Sequence, residues 1–163
     1  MAHKCQNCDH NCGSCHEIEE NGCPICGKLG MEVAYNTVES LSNSFTKLQL
    51  GQLKNEVFYL CTSRGCQVSY YTPTGAKILL NQLEVPIWFK HQKEEYYVCY
   101  CRRITLDDVV EAVNNLESPA IDSVIKYLNK EDVVTNCEVN NPTGKSCEPL
   151  FMNAIKYALN KKA

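Results

Sequence analysis

Val98-Cys99-Tyr100-Cys101 opens the second half of the chain and is answered much later by Cys137 and Cys147. As a pattern this is C-x-C, thirty-five residues, then C-x9-C. Two cysteines one residue apart chelate a single zinc ion poorly, because zinc knuckles reach tetrahedral angles through roughly two to four intervening residues. Thiolates this close suit a cluster, whose ligands are divided between two metals. The flanking residues agree. Thr105-Leu106-Asp107-Asp108 reads as a capping box, and Glu148-Pro149 opens a helix directly after the last cysteine. A helix start carries about half a positive charge. A [2Fe–2S] core held by four thiolates is formally dianionic when oxidised, so two helix starts aimed at it would stabilise it. The spacing thus predicts an iron–sulfur site at Cys99, Cys101, Cys137 and Cys147. The competing reading is four buried cysteines acting as small hydrophobes, and their position at element ends rather than on apolar faces argues against it.

Those four belong to a total of twelve cysteines in 163 residues. A secreted disulfide scaffold is one way to use so many. The amino terminus, Met1-Ala2-His3-Lys4-Cys5, has no basic-then-apolar leader, and no apolar run reaches membrane-spanning length. The expectation is therefore a cytoplasmic chain whose CxxC pairs bind metal, without membrane insertion. Net charge is −3 and the pI about 5.8, with Lys and Arg scattered, so nothing points to nucleic acid. The cysteines divide into three quartets: 5/8/12/15, 23/26/61/66 and 99/101/137/147.

Residues 1–20 are polar and without periodicity, and read as a Cys-rich flexible tail. Cys23-Pro24-Ile25-Cys26-Gly27 is a compact zinc knuckle, and Cys61-Thr62-Ser63-Arg64-Gly65-Cys66 is its counterpart. Around them lie β-rich segments at 31–35, 56–60, 68–72, 77–80 and 95–100, while 45–53 reads equally as short helix or loop. A closed site of four cysteines would fold this ribbon and catalyse nothing. From Thr105 the period changes to 3.6: Leu106, Val109, Val110 and Val113 share one helical face. A second helix follows Ser118-Pro119, with Ile121, Val124, Ile125 and Leu128 inward. A third runs over 149–160 after a loop rich in Asn, Pro and Gly (136–146). The expected architecture is α+β: a zinc-ribbon-like domain over 21–92, then a helical [2Fe–2S]-binding domain over 93–163. Asn141-Pro142-Thr143-Gly144-Lys145-Ser146 is no phosphate loop, since Val139 stands where the motif needs glycine. Tyr70, Tyr71, Tyr96, Tyr97, Tyr100 and Trp88 read as strand packing. Arg102 and Arg103 beside the C-x-C read either as solvated charge or as groups tuning a cluster.

Taken in order, the Cys-Pro-x-Cys knuckle, Tyr59-Leu60-Cys61-x4-Cys66-x-Val68-x-Tyr70-Tyr71, Val98-Cys99-Tyr100-Cys101-Arg102-Arg103-Ile104-Thr105 and Val133-Val134-Thr135-Asn136-Cys137 resemble the N-terminal portion of archaeal-type CopZ copper chaperones. The second half is similar to the bacterioferritin-associated ferredoxin-like [2Fe–2S] domain. The resemblance covers about residues 20–160. It implies zinc on Cys23, Cys26, Cys61 and Cys66, and a [2Fe–2S] cluster on Cys99, Cys101, Cys137 and Cys147. It also implies copper handling, with the cluster supplying an electron for reduction of Cu(II) to Cu(I). Such chaperones continue into a heavy-metal-associated domain with one CxxC, which the residues up to Ala163 lack. In its place stands the quartet Cys5, Cys8, Cys12, Cys15, with His3, His10 and His16 nearby. Soft thiolates favour Cu(I), and a second zinc site or a metal-free tail are the alternatives.

The resulting expectation is a zinc- and iron–sulfur-binding metallochaperone. It would carry out electron transfer or metal reduction rather than turnover of an organic substrate. Its partners would be metal ions, an electron donor, and a copper acceptor such as a copper-transporting ATPase. Two rivals stand beside it: a ferredoxin-like electron carrier serving iron release, and a structural or regulatory protein with zinc in every quartet.

Overall fold

The computed structural model describes residues 21–90 and 96–162 of the chain. The tail quartet at Cys5, Cys8, Cys12 and Cys15 and the stretch 91–95 lie outside the described residues. Helices and antiparallel sheets together give an α+β fold.

The first half is an antiparallel meander with strands in the order β1 (Met31–Val33), β2 (Phe58–Leu60), β3 (Val68–Tyr71), β4 (Lys77–Leu79). The long β1–β2 connection holds two short helices, α1 (Tyr35–Leu41) and α2 (Ser44–Leu50). The expected strand over 31–35 therefore stops at Val33. Helix α1 escapes sequence reading because Tyr35, Thr37 and Val38 all favour strands, and tertiary burial of Thr37, Val38 and Leu41 overrides that preference. The ambiguous stretch 45–53 is helical, its first turn capped by Asn43, whose side chain accepts from the Thr46 N–H at 2.9 Å.

In the second half a two-stranded ribbon, β5 (Tyr97–Cys99) and β6 (Ile104–Thr105), leads into α3 (Leu106–Asn115). Then come α4 (Ile121–Tyr127), the single turn α5 (Cys137–Asn140) and α6 (Glu148–Lys162). The capping box forms as read: Thr105 accepts from the Asp108 N–H at 3.2 Å, and Asp108 accepts from the Thr105 N–H at 2.8 Å. Val109, Ala112 and Val113 of α3 meet Phe151, Ala154, Ile155 and Ala158 of α6 in one apolar core with Val98 and Ile104.

A second core gathers Val38, Leu41, Phe58, Leu60, Tyr70, Ile78 and Ile87, and it also takes in Tyr97 and Tyr100. The short segment 97–100 therefore sends side chains to both cores. Hydrogen bonds reinforce the join. Thr37 donates to the Glu138 carbonyl at 2.6 Å, Tyr70 to the Pro142 carbonyl at 2.8 Å, and Tyr100 to the Pro86 carbonyl at 2.7 Å. Among the described residues no helix is long and apolar enough to cross a membrane.

Candidate metal centres

Cys23 and Cys26 sit in a turn closed by two main-chain bonds, Gly27 N–H to the Cys23 carbonyl (2.8 Å) and Cys23 N–H to the Lys28 carbonyl (2.9 Å). Gly27 has φ of +72°, a left-handed conformation that side-chain-bearing residues rarely adopt. Cys61 follows β2 directly. Cys66 closes the next turn through its N–H to the Ser63 carbonyl at 3.2 Å, two residues before β3. The sheet register thus brings a local turn and a distant hairpin face to face. Sγ of Cys23 lies 3.9 Å from that of Cys66, and Sγ of Cys26 lies 3.7 Å from that of Cys61. All four sulfurs are within 4.8 Å of one another. A Zn–S bond of about 2.3 Å places tetrahedral sulfurs about 3.8 Å apart, so both donor type and spacing fit a single zinc ion with no open position.

Behind the thiols the packing is dense. The Gly30 N–H donates to the Tyr71 hydroxyl (2.7 Å), which donates on to the Asn21 carbonyl (2.9 Å). A Cβ on Gly30 would fall 2.6 Å from the Leu60 carbonyl oxygen, so no larger residue fits there. Buried Lys90 donates to the carbonyls of Cys66 and Val68. Burial pushes the Cys23 thiol up to about 12. Burial also works on Cys26, but the Ser63 hydroxyl at 3.3 Å and the Lys28 backbone outweigh it and bring that thiol down to about 6. Cys26 is therefore ready as a thiolate near neutral pH, whereas Cys23, pushed up by burial, loses its proton on meeting the metal. Ser63 and Lys90 were not singled out from sequence and Tyr71 was read only as strand packing, because their roles at the thiols follow from the hairpin register.

The second quartet is built differently. Cys99 ends β5, Cys101 lies in the tight β5–β6 connection, Cys137 starts α5, and Cys147 directly precedes α6, its carbonyl accepting from the Phe151 N–H at 2.9 Å. Sγ of Cys147 is 3.4 Å from that of Cys137 and donates to that of Cys99 at 3.8 Å. Cys101 points its sulfur at nitrogen donors instead, the Asn136 N–H at 3.3 Å and the Asn140 side-chain amide at 3.6 Å. Among the described residues, only the first quartet closes into a group with every donor atom within 4.8 Å. The second is assembled but spread, and a hollow of about 430 Å³ opens onto Cys99, Cys137 and Cys147.

The Cys147 S–H, joined by the backbone and guanidinium of Arg102, outweighs burial and holds the Cys99 thiol down at about 6. The same S–H bond, with burial, pushes Cys147 up, and burial pushes Cys101 up. Arg102 is half-buried and donates from Nε to the Lys130 carbonyl at 3.0 Å, whereas Arg103 is exposed with φ of +51°. Among the described residues no hydrogen bond runs from the start of α3 to these thiols, because its capping box satisfies that start locally. The N–H donors come from the residues next to the cysteines.

The α+β fold sets four thiols in a closed cage at the end of an antiparallel meander, a group able to hold one metal ion. Residues 20–85 match the model of a family described as the CopZ zinc binding domain. The chain is 27% identical over 126 residues to the copper chaperone CopZ of Archaeoglobus fulgidus, covering 77% of this chain and 57% of that protein. It thus spans somewhat over half the length of that relative. The X-ray structure of the CopZ N-terminal domain from the same organism superposes with a TM-score of 0.61 at 23% identity, covering 81% of this chain and 95% of that one. The fold is shared, and the first half is a zinc-binding domain similar to that of CopZ.

Proposed function

We propose that this chain is a cytoplasmic, CopZ-like metallochaperone in which a structural zinc ribbon carries a one-electron centre. It divides into a Cys-rich tail (1–20), the ribbon (21–92) and a [2Fe–2S]-binding part (93–163). Cys23, Cys26, Cys61 and Cys66 hold zinc, and Cys99, Cys101, Cys137 and Cys147 hold the cluster. The observation that carries this reading is the contrast in sulfur spacing. A quartet drawn inside 4.8 Å suits one ion. A spread quartet with N–H donors on its outlying sulfur suits ligands shared between two irons. A bound [2Fe–2S] group supplies one electron at a time, the number needed to take Cu(II) to Cu(I).

The protein's own residues set the conditions for that chemistry. Arg102 and the amides of the Asn136–Asn140 stretch place positive charge and N–H dipoles around sulfur. Helix α6 begins directly after Cys147, with the partial positive charge of its start on that side. Cys5, Cys8, Cys12 and Cys15 take the copper cargo as Cu(I), which soft thiolates prefer over harder metals, and pass it to a copper-accepting protein such as a transport ATPase.

Two measurements test the reading. Anaerobically purified protein should hold about two irons and two sulfides per chain and give an EPR signal on one-electron reduction. Iron-free protein after anaerobic reconstitution would overturn the cluster. In competition with a chromophoric Cu(I) chelator, deleting residues 1–20 should abolish tight Cu(I) uptake while leaving iron and zinc unchanged. Equal uptake by both forms would remove the tail from the copper pathway and leave a ferredoxin with a zinc ribbon.

A further inference from the structure

Cys101 differs from the other thiols of its quartet in what its sulfur faces. It accepts from the Asn136 main-chain N–H and from Nδ2 of Asn140, at 3.3 and 3.6 Å. The Asn140 side chain is held at its other end by the zinc-bearing half of the molecule: Ser40 Oγ of α1 donates to Asn140 Oδ1 at 3.5 Å. Ser40 stands three residues after Thr37 and so on the same face of α1. Thr37 donates to the Glu138 carbonyl at 2.6 Å. Helix α1 therefore grips α5 at two points. One bond fixes main chain, and the other turns an amide whose far end touches a thiol.

We propose that Asn140, oriented by Ser40, is a positioning residue that raises the reduction potential of the group held by Cys99, Cys101, Cys137 and Cys147. The inference rests on the cluster reading above and adds to it a route by which the first half acts on the second without sharing a ligand. One electron added to the bound group increases its negative charge by one, and part of that charge falls on the thiolate sulfurs. An N–H donor to sulfur stabilises the more negative form, so it favours reduction. Outer partners of this kind tune metal sites as well as orient their ligands. Loss of the amide lowers the potential, and a carboxylate in its place lowers it further.

The test is a redox titration of the anaerobically purified full chain with dithionite as one-electron donor, followed by EPR of the reduced form. Asn140→Ala should titrate at lower potential, by the equivalent of about a tenfold change in the oxidised-to-reduced ratio, or about 59 mV for one electron. Asn140→Asp should fall lower still, and Asn140→Gln, which keeps an amide donor, should recover part of the loss. Ser40→Ala should shift the same way by less. Thr37→Ala removes the neighbouring grip on α5 without touching the amide, and should lower the melting temperature while leaving the potential in place. Iron-loaded Asn140→Ala at the wild-type potential would overturn the inference, as would a Thr37→Ala shift as large as that of Asn140→Ala. Wild-type protein without iron and sulfide would overturn the cluster reading and this inference together.

Discussion

The two described thiol quartets use the same four atoms to opposite ends. In the first, a five-residue turn and a hairpin bring sulfurs 3.7 and 3.9 Å apart in a nearly closed, buried cage. In the second, a strand end, a tight connection, a helical turn and a helix start bring up one thiol each. The sulfurs of Cys137, Cys147 and Cys99 follow one another at 3.4 and 3.8 Å, that of Cys101 turns to Asn136 and Asn140, and a hollow remains beside them. A closed cage converts metal affinity into folding free energy and leaves no room for a reaction. On the proposed cluster reading, the second quartet, with N–H donors aimed at the Cys101 sulfur, would suit a group whose charge changes. The difference lies in local backbone geometry rather than in ligand chemistry.

The largest effect should come from removing the cage. Apparent affinities of structural zinc sites are about 10–16 kcal/mol at neutral pH, as large as the whole stability of a small domain, about 5–15 kcal/mol. Chelation of zinc, or Cys23→Ser, should therefore unfold the meander, seen as loss of the cooperative thermal transition. Read from sequence, the helical half, with three helices of its own, keeps its spectrum at least partly. The structure adds that it is perturbed, because Tyr97 and Tyr100 sit in the first core and Tyr70 holds the Pro142 carbonyl. The absorption spectrum of the second site should change when zinc leaves. An unchanged spectrum would mean that the two halves stand independently.

Tyr70→Phe probes that link alone. It keeps the ring in the core and leaves the buried Pro142 carbonyl without its donor, a loss of about 1–3 kcal/mol in denaturant unfolding. Zinc content should stay the same, because the adjacent Tyr71, not Tyr70, serves the knuckle. A smaller effect is expected of Thr105→Ala, which removes the cap of α3: about 1 kcal/mol, with both metal complements retained. The smallest is Glu84→Ala. Its exposed pair with Lys47 at 3.9 Å is worth about 0–1 kcal/mol, and the melting curve should barely move.

How much of this was legible in the sequence follows the same divide. Helices α3, α4 and α6 declare themselves, because residues such as Leu106, Val109 and Val113 keep the helical period and Thr105 and Asp108 form a local box, whereas the single turn α5 falls inside the Asn-, Pro- and Gly-rich stretch 136–146 that reads as loop. The meeting of Cys23 and Cys26 with Cys61 and Cys66 is foreshadowed by the glycine-bearing turns at each pair. Helix α1 was not legible, since Tyr35 falls in the stretch 31–35 read as strand and β-branched Thr37 and Val38 carry no helical preference until their burial is known. Ser63, Lys90 and Asn140 were equally silent. Each matters through a contact across 22 to 39 residues or more, which local pattern does not encode. The helix starts were legible as caps but not in direction: the α3 box bonds to itself, and the sulfur of Cys101 faces Asn136 and Asn140 instead.

Native mass spectrometry of the anaerobically purified full chain tests the contrast between the quartets most directly. The account predicts a dominant species carrying one zinc ion and one [2Fe–2S] unit, with Cys101→Ser losing or distorting the iron–sulfur unit and keeping zinc, and Cys26→Ser losing zinc. A dominant species with two zinc ions and no iron, unchanged after reconstitution with iron and sulfide, would contradict it.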